Sequence, residues 1–361
     1  MGDPFYNRIT QQGIPSTNKT CLTIPAIKDA LRRSGLIGRA LMNNSNYDLG
    51  PLCGPTDADT LDRSRSALNQ YFSVLRNANM VQWESGREGY LCTNVAVQAY
   101  ILFLGSLIKY WEANTAADSR EMLVEDILLE LDEYMTPIRE FLEHADENTI
   151  STRFKVPFGS GGPPEYYYRL CHIVKEKFPD FQPEGMQDWE TEQSEENKNK
   201  ADRNINELIM NIQKYIFKVF RSIHGESKDA YWDKGIPDKS IKAKAYERSL
   251  DYEVEERLPL ETYLEVIEYK KIVEHRQNWN LFKAAFNIPE PGERGLAKNL
   301  KWMDRLNELR RIQAHPSEKR HYKVEDFEYI DYIYELFNRQ SREAAENPIF
   351  ESTGYKDSLG E

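Results

Sequence analysis

Apolar positions recur at three- and four-residue steps along most of this chain, the spacing that collects them on one face of an α-helix. From Thr60 to Asn79 they are Leu61, Ala67, Leu68, Tyr71, Phe72 and Leu75. Pro25 opens a short helix over Ala26–Arg33 that Ser34-Gly35 stops. Val95–Trp111 is apolar almost throughout, broken by Gln98 and Lys109. It is too short and too polar to span a bilayer, so it predicts a buried helix, with Asn94 as its cap. Amphipathic helices follow over Ser119–Glu143 and from Glu165 to Phe178, which Pro179 ends. The second half predicts four more. They run over Ile205–Ile223 (with Leu208, Ile209, Ile212, Tyr215, Ile216, Val219 and Phe220), Leu260–Lys283, Leu296–Ala314 and Val324–Ala345. The exception is Met80–Trp83 and Tyr90–Thr93 around Glu-Ser-Gly-Arg-Glu-Gly, which predicts a small β-hairpin. The fold class expected is mainly α: a helical N-terminal domain with a minor hairpin, then a helical bundle.

The periodicity lapses once, from Glu184 to Asn204, where Glu190–Asp202 holds almost no apolar residue. A domain boundary is expected there. The division is residues 1–189, a polar linker or solvated helix over 190–204, and a second domain over 205–361. A chain of 361 residues accommodates two or three domains of roughly 150.

The formal charge of −12 argues against a protein that coats nucleic acid, but not against a local basic site. Cys21, Cys53, Cys92 and Cys171 are widely spaced and contain no C-x-x-C pair, so neither a zinc ribbon nor a disulfide framework is read. Reduced thiols in a cytosol are expected. Met1–Asn18 carries no apolar core of a signal peptide. No metal and no cofactor is implied.

The chemistry concentrates between Lys301 and Lys323. Seven cations (Lys301, Arg305, Arg310, Arg311, Lys319, Arg320 and Lys323) face three acids there, a local excess of four against the acidic whole. Such a patch suits phosphate. Met303, Leu306, Leu309 and Ile312 predict the buried stripe of the helix carrying it. Arg310 and His315 are five residues apart, a net turn of about 140° on a straight helix. His315 precedes Pro316 and therefore ends the helix, where a bend brings it back towards Arg310. A neutral His takes a ribose 2′-OH proton, a protonated one donates to the leaving 5′-oxygen, and an Arg stabilises the phosphoryl charge. One His serves both steps poorly, so two protomers would help. A helix-end His beside solvated arginines is the plain structural alternative.

Arg310-Arg-Ile-Gln-Ala-His-Pro316 resembles the R-x4-6-H motif of the HEPN superfamily. The flanking Tyr269–Phe282, Trp302–Pro316 and Tyr322–Ile333 resemble its defence-associated branch over roughly residues 205–345. The resemblance implies a helical bundle that dimerises and a metal-independent ribonuclease leaving cyclic phosphate ends. Arg310 and His315 take the catalytic positions. Arg311, which stands where the motif often has Asn, joins Asn307, Lys319, Arg320 and His321 as RNA contacts. Non-catalytic binding modules also occur in that superfamily. In the first half, Asp3–Arg8, Trp83–Gly89 and Phe158–Gly162 resemble the C-terminal portion of DGQHR-domain proteins linked to DNA phosphorothioation. The DGQHR signature is absent from this chain, so no activity of that portion is carried over. The function expected is a HEPN-type endoribonuclease in a prokaryotic defence or toxin-like context. The alternative is a non-catalytic nucleic-acid-binding regulator of a DNA-modification defence system.

Overall fold

In the computed structural model the described residues are 3–10, 13, 15–40, 47–156, 159–314 and 320–346. The fold is mainly α, with 71% helix. It divides into two compact units, Met1–Trp189 and Glu190–Glu361.

The helices of the first unit are α1 (Ile24–Ser34), α2 (Asp57–Ala78), α3 (Met80–Glu84), α4 (Asn94–Thr115), α5 (Val124–Glu130), α6 (Asp132–His144), α7 (Glu147–Phe154) and α8 (Gly162–Lys175). The next, α9 (Met186–Gln193), spans the division. α4 is the centre of the first unit, with Val97, Tyr100, Phe103, Leu104, Leu107 and Ile108 buried on it. α1 and α8 pack on α4. Gly105 lets α1 come close: a Cβ there would stand 2.7 Å from the Ser34 carbonyl oxygen. Side-chain caps set the helix starts. Thr23 accepts from Ala26 N at 3.4 Å, and Thr56 and Asp59 form a reciprocal capping box.

Several elements differ from the sequence reading. The hairpin expected over Met80–Thr93 does not form: Met80–Glu84 is helical and residues 89–93 are irregular. Asn79 accepts from Gln82 N at 3.1 Å and starts α3, and a 3-10 turn follows at Gly86–Glu88. Gly86 takes φ +58 with the Asn18 carbonyl oxygen packed against its Cα, which leaves no room for a side chain there. Strand pairing occurs between Arg39–Ala40 and Tyr47–Asp48, antiparallel. Thr93, not Asn94, caps α4, accepting from Ala96 N at 3.1 Å, while the Asn94 amide oxygen accepts from Thr23 N at 2.8 Å. The single helix expected over 119–143 breaks into a 3-10 turn, α5 and α6.

The second unit comprises α10 (Glu195–His224), α11 (Lys228–Gly235), α12 (Lys239–Ser249), α13 (Val266–Glu274), α14 (Trp279–Phe286), α15 (Leu296–Asn299), α16 (Lys301–Ala314) and α17 (Val324–Glu346). The polar segment 190–204 is helical on both sides of Ser194, whose hydroxyl caps α10. α10 buries Ile205, Leu208, Ile212, Ile216, Phe217 and Phe220, packing against α11, α13, α16 and α17. The run expected over 260–283 is interrupted. A 3-10 turn at Leu260–Tyr263, the Glu265/Glu268 capping box of α13 and the buried Asn278 divide it. Asn278 Nδ2 donates to the carbonyls of Ile272 and Gly235 at 2.9 and 3.0 Å and holds the α13–α14 corner.

Candidate nucleic-acid interface

α16 carries the candidate residues. Trp302, Met303, Leu306 and Leu309 are buried on it, and Ile312 is half-buried. Arg310 stands four residues after Leu306 and seven after Met303, so it shares their inward-facing side of the helix. It is half-buried, whereas Arg311, one step of about 100° round the helix, is exposed. Asn307, three residues before Arg310, is also half-buried.

Two pairs hold α16 in place. Lys270 Nζ of α13 lies 2.9 and 2.7 Å from the two carboxylate oxygens of Asp304. On the other side the Arg305 guanidinium lies 3.7 Å from the centre of the Tyr329 ring on α17, with Asp326 at 3.5 Å. The charge of Arg310 is felt at Tyr269 of α13. Burial, then the carboxylates of Glu261 and Glu268, push the Tyr269 phenol up, and the Arg310 charge opposes that shift. Tyr269 is buried and donates to the Glu261 carbonyl oxygen at 2.9 Å.

The local positive excess is largely engaged in ion pairs. Lys301 pairs with Glu290 at 2.8 Å, Arg320 with Glu308 at 3.7 Å and Lys323 with Glu192 at 2.8 Å. His321 is exposed, and its Nε2 lies 4.0 Å from the same Glu192 carboxylate. Among the described residues Arg310 and Arg311 form no ion pair. His315 and Lys319 lie outside the described residues, and the Arg310–His315 relationship with them.

The second unit also holds a largely buried polar network that no motif signals. The Arg221 guanidinium pairs with the buried Glu261 carboxylate and sits 4.5 Å from the Tyr231 ring centre. The Tyr231 hydroxyl donates to Glu261 Oε2 at 3.1 Å. Glu268, also buried, receives two hydrogen bonds from Arg248, at 2.6 and 3.0 Å. A cavity of 290 Å³ opens beside Glu261 and Tyr231, with Lys228, Trp232, Tyr246 and Arg257 on its walls. Arg221 and Glu261 are forty residues apart in sequence, so only folding brings them together. The Gly159–Gly162 stretch of the first unit leads into α8, with Pro163 and Pro164 in its first turn.

Comparison with protein-family models, curated protein sequences and solved structures finds no match. Among the described residues no helix is long and apolar enough to cross a membrane, and no group of three or more His, Cys, Asp or Glu is placed to hold a metal ion.

Proposed function

We propose that the second unit is a HEPN-type endoribonuclease that works without metal, with Arg310 and His315 in the chemistry. The observation carrying this reading is the pair of cations on α16 without a carboxylate partner among the described residues, beside the R-x4-H spacing. Arg310 is half-buried, so fewer of its rotamers are lost when it takes a phosphate oxygen, and its charge acts in a less screened setting. Arg311, exposed, meets the strand from solvent. His315 removes the 2′-OH proton and the histidine of a second copy protonates the 5′-oxygen. The products are a 2′,3′-cyclic phosphate end and a 5′-hydroxyl end. Asn307, Lys319, Arg320 and His321 supply further contacts to the strand. A prokaryotic defence or toxin-like role belongs to the same proposal, with a homodimer as the working form in a cytosol.

The test is cleavage of a mixed RNA pool in EDTA by the full chain and by His315→Ala. Cleavage that persists in EDTA and is lost in the variant supports the reading. Loss in EDTA, or full activity in His315→Ala, overturns it. No cleavage by the wild type, with RNA binding that Arg310→Ala abolishes, assigns the chain instead to the non-catalytic binding proteins, in the setting of a DNA-modification defence system.

A further inference from the structure

Cys21 and Cys92, seventy-one residues apart in sequence, meet in the first unit with their sulfurs 4.0 Å apart. Both are buried, at 4% and 0% exposure. The two backbones are fastened together around them. Thr23 N donates to Asn94 Oδ1 at 2.8 Å, the Cys21 thiol to the Cys92 carbonyl at 2.8 Å, and Arg87 N to the Asn18 carbonyl at 3.0 Å. A disulfide has its sulfurs about 2.05 Å apart, so closing the gap needs a sulfur movement of about 2 Å between segments already tied. The other two cysteines are placed differently: Cys53 donates to the Ile37 carbonyl at 3.2 Å, and Cys171 is buried on α8.

The charges around the pair favour a thiolate on one member. The charge of the buried Arg8, ion-paired with Glu84, favours the thiolate at both sulfurs and that of Arg87 favours it at Cys21, while Glu84 opposes it at Cys92. The Cys21 thiol is pushed down to about 7, first by its hydrogen bond with Cys92 and then by Arg8, against burial. Cys92 is pushed up by Cys21 and by burial, so the pair gives up one proton easily and resists losing the second. Cys21 follows residues 15–19 of the N-terminal arm, which are exposed, and oxidation of the buried pair requires local opening there to admit a water-sized oxidant.

We propose that Cys21 and Cys92 form a reversible dithiol–disulfide site that a peroxide oxidises. The Cys21 thiolate attacks one oxygen of hydrogen peroxide and the O–O bond breaks. Cys21 becomes a sulfenic acid, and the departing hydroxide takes up a proton as water. The Cys92 sulfur then attacks the Cys21 sulfur. The S–S bond forms, the S–O bond breaks, and the hydroxyl leaves as water with the Cys92 proton. Two thiols lose two electrons, and one peroxide becomes two waters. A dithiol reductant reverses the step by exchange. The bond fastens the N-terminal arm covalently to the start of α4, an effect independent of the RNA chemistry proposed for the second unit.

The experiment exposes the full-length chain to hydrogen peroxide, alkylates the remaining thiols under denaturing conditions and maps the peptides without reduction. A Cys21–Cys92 linked peptide that dithiothreitol removes is the expected result. Cys92→Ser then accumulates a Cys21 sulfenic acid that dimedone traps. Both thiols remaining free to alkylate after Cys53 has been oxidised would overturn the proposal, and so would linkage through Cys53 alone. The wild-type map decides the matter even where a serine variant folds poorly.

Discussion

The Arg305 guanidinium stands 3.7 Å from the centre of the Tyr329 ring, and this contact fastens α16 to α17. Arg305 is therefore a structural cation, although it stands among the basic residues that suggest a phosphate site. Arg305→Ala is expected to lower stability by about 1 kcal/mol, the order of a partly desolvated cation–π contact. RNA affinity should change far less than in Arg310→Ala. Urea unfolding followed by circular dichroism and a filter-binding titration separate the two effects.

Arg310 and Arg311 are adjacent in sequence but differ in burial, and this predicts different phenotypes. Arg311→Ala should reduce the salt dependence of RNA binding by about 0.7 in the slope of log K against log salt, as for one lost single-strand phosphate contact. Its cleavage rate at saturating RNA should stay near wild type. Arg310→Ala should lower that rate by a factor of about 100 to 1,000, as for removal of one group that stabilises developing charge. Arg310→Lys should recover binding more than rate, because an ammonium lacks the planar fork. Equal losses in both alanine variants would contradict the division of roles.

The buried Glu261 carboxylate depends on Arg221 and the Tyr231 hydroxyl. Arg221→Ala leaves that charge without its counter-ion and should cost about 3 kcal/mol. Combining Arg221→Met with Glu261→Leu should cost less than Arg221→Ala alone, since no buried charge then remains. Chemical unfolding of the three proteins measures the difference.

Three phenols in the first unit form a buried chain. Tyr71 donates to the Tyr100 carbonyl at 3.0 Å, the Tyr100 and Tyr166 hydroxyls are 3.1 Å apart, and Tyr166 donates to the Tyr90 carbonyl at 3.1 Å. Burial above all pushes all three up. In the unfolded chain they titrate near 10, so the folded state holds its phenolic protons more tightly. That contribution is complete below about pH 10 and is lost as pH rises from there towards the folded values. An absorbance titration should show exposed tyrosines ionising first. The buried set should ionise in a steeper step that coincides with loss of helical circular dichroism.

Gly105→Ala tests the close approach of α1 to α4. The added methyl would meet the Ser34 carbonyl oxygen at 2.7 Å, a backbone atom that cannot rotate away. Overpacking of this kind costs about 2 kcal/mol, more than the gain in helix propensity from Ala. A thermal melt lower than that of wild type is the expected outcome.

What the sequence determined by itself is the helical character of the chain and most of the stripes that form its cores. Burying apolar side chains at helical spacing is a local consequence of order along the chain, so Leu208, Ile212 and Phe220 of α10, or Met303, Leu306 and Leu309 of α16, could be read without coordinates. Helix ends were less legible. Thr93 and Asn94 are both good caps, and only the bond from Thr23 engages Asn94 elsewhere and leaves Thr93 to α4. The segment after Asn79 reads as a hairpin because its apolar residues flank a glycine-rich turn, yet the Asn79 side chain caps a helical turn there. Tertiary structure alone decided how the charges divide. Sequence makes Lys301, Arg305, Arg310 and Arg311 one basic cluster. Folding pairs two of them with Glu290 and Asp326 and leaves Arg310 and Arg311 without a described partner. The same holds for Arg221 with Glu261 and for Cys21 with Cys92. Ion pairs and thiol contacts depend on distances of a few ångströms between residues far apart in the chain, and periodicity carries no information about those distances.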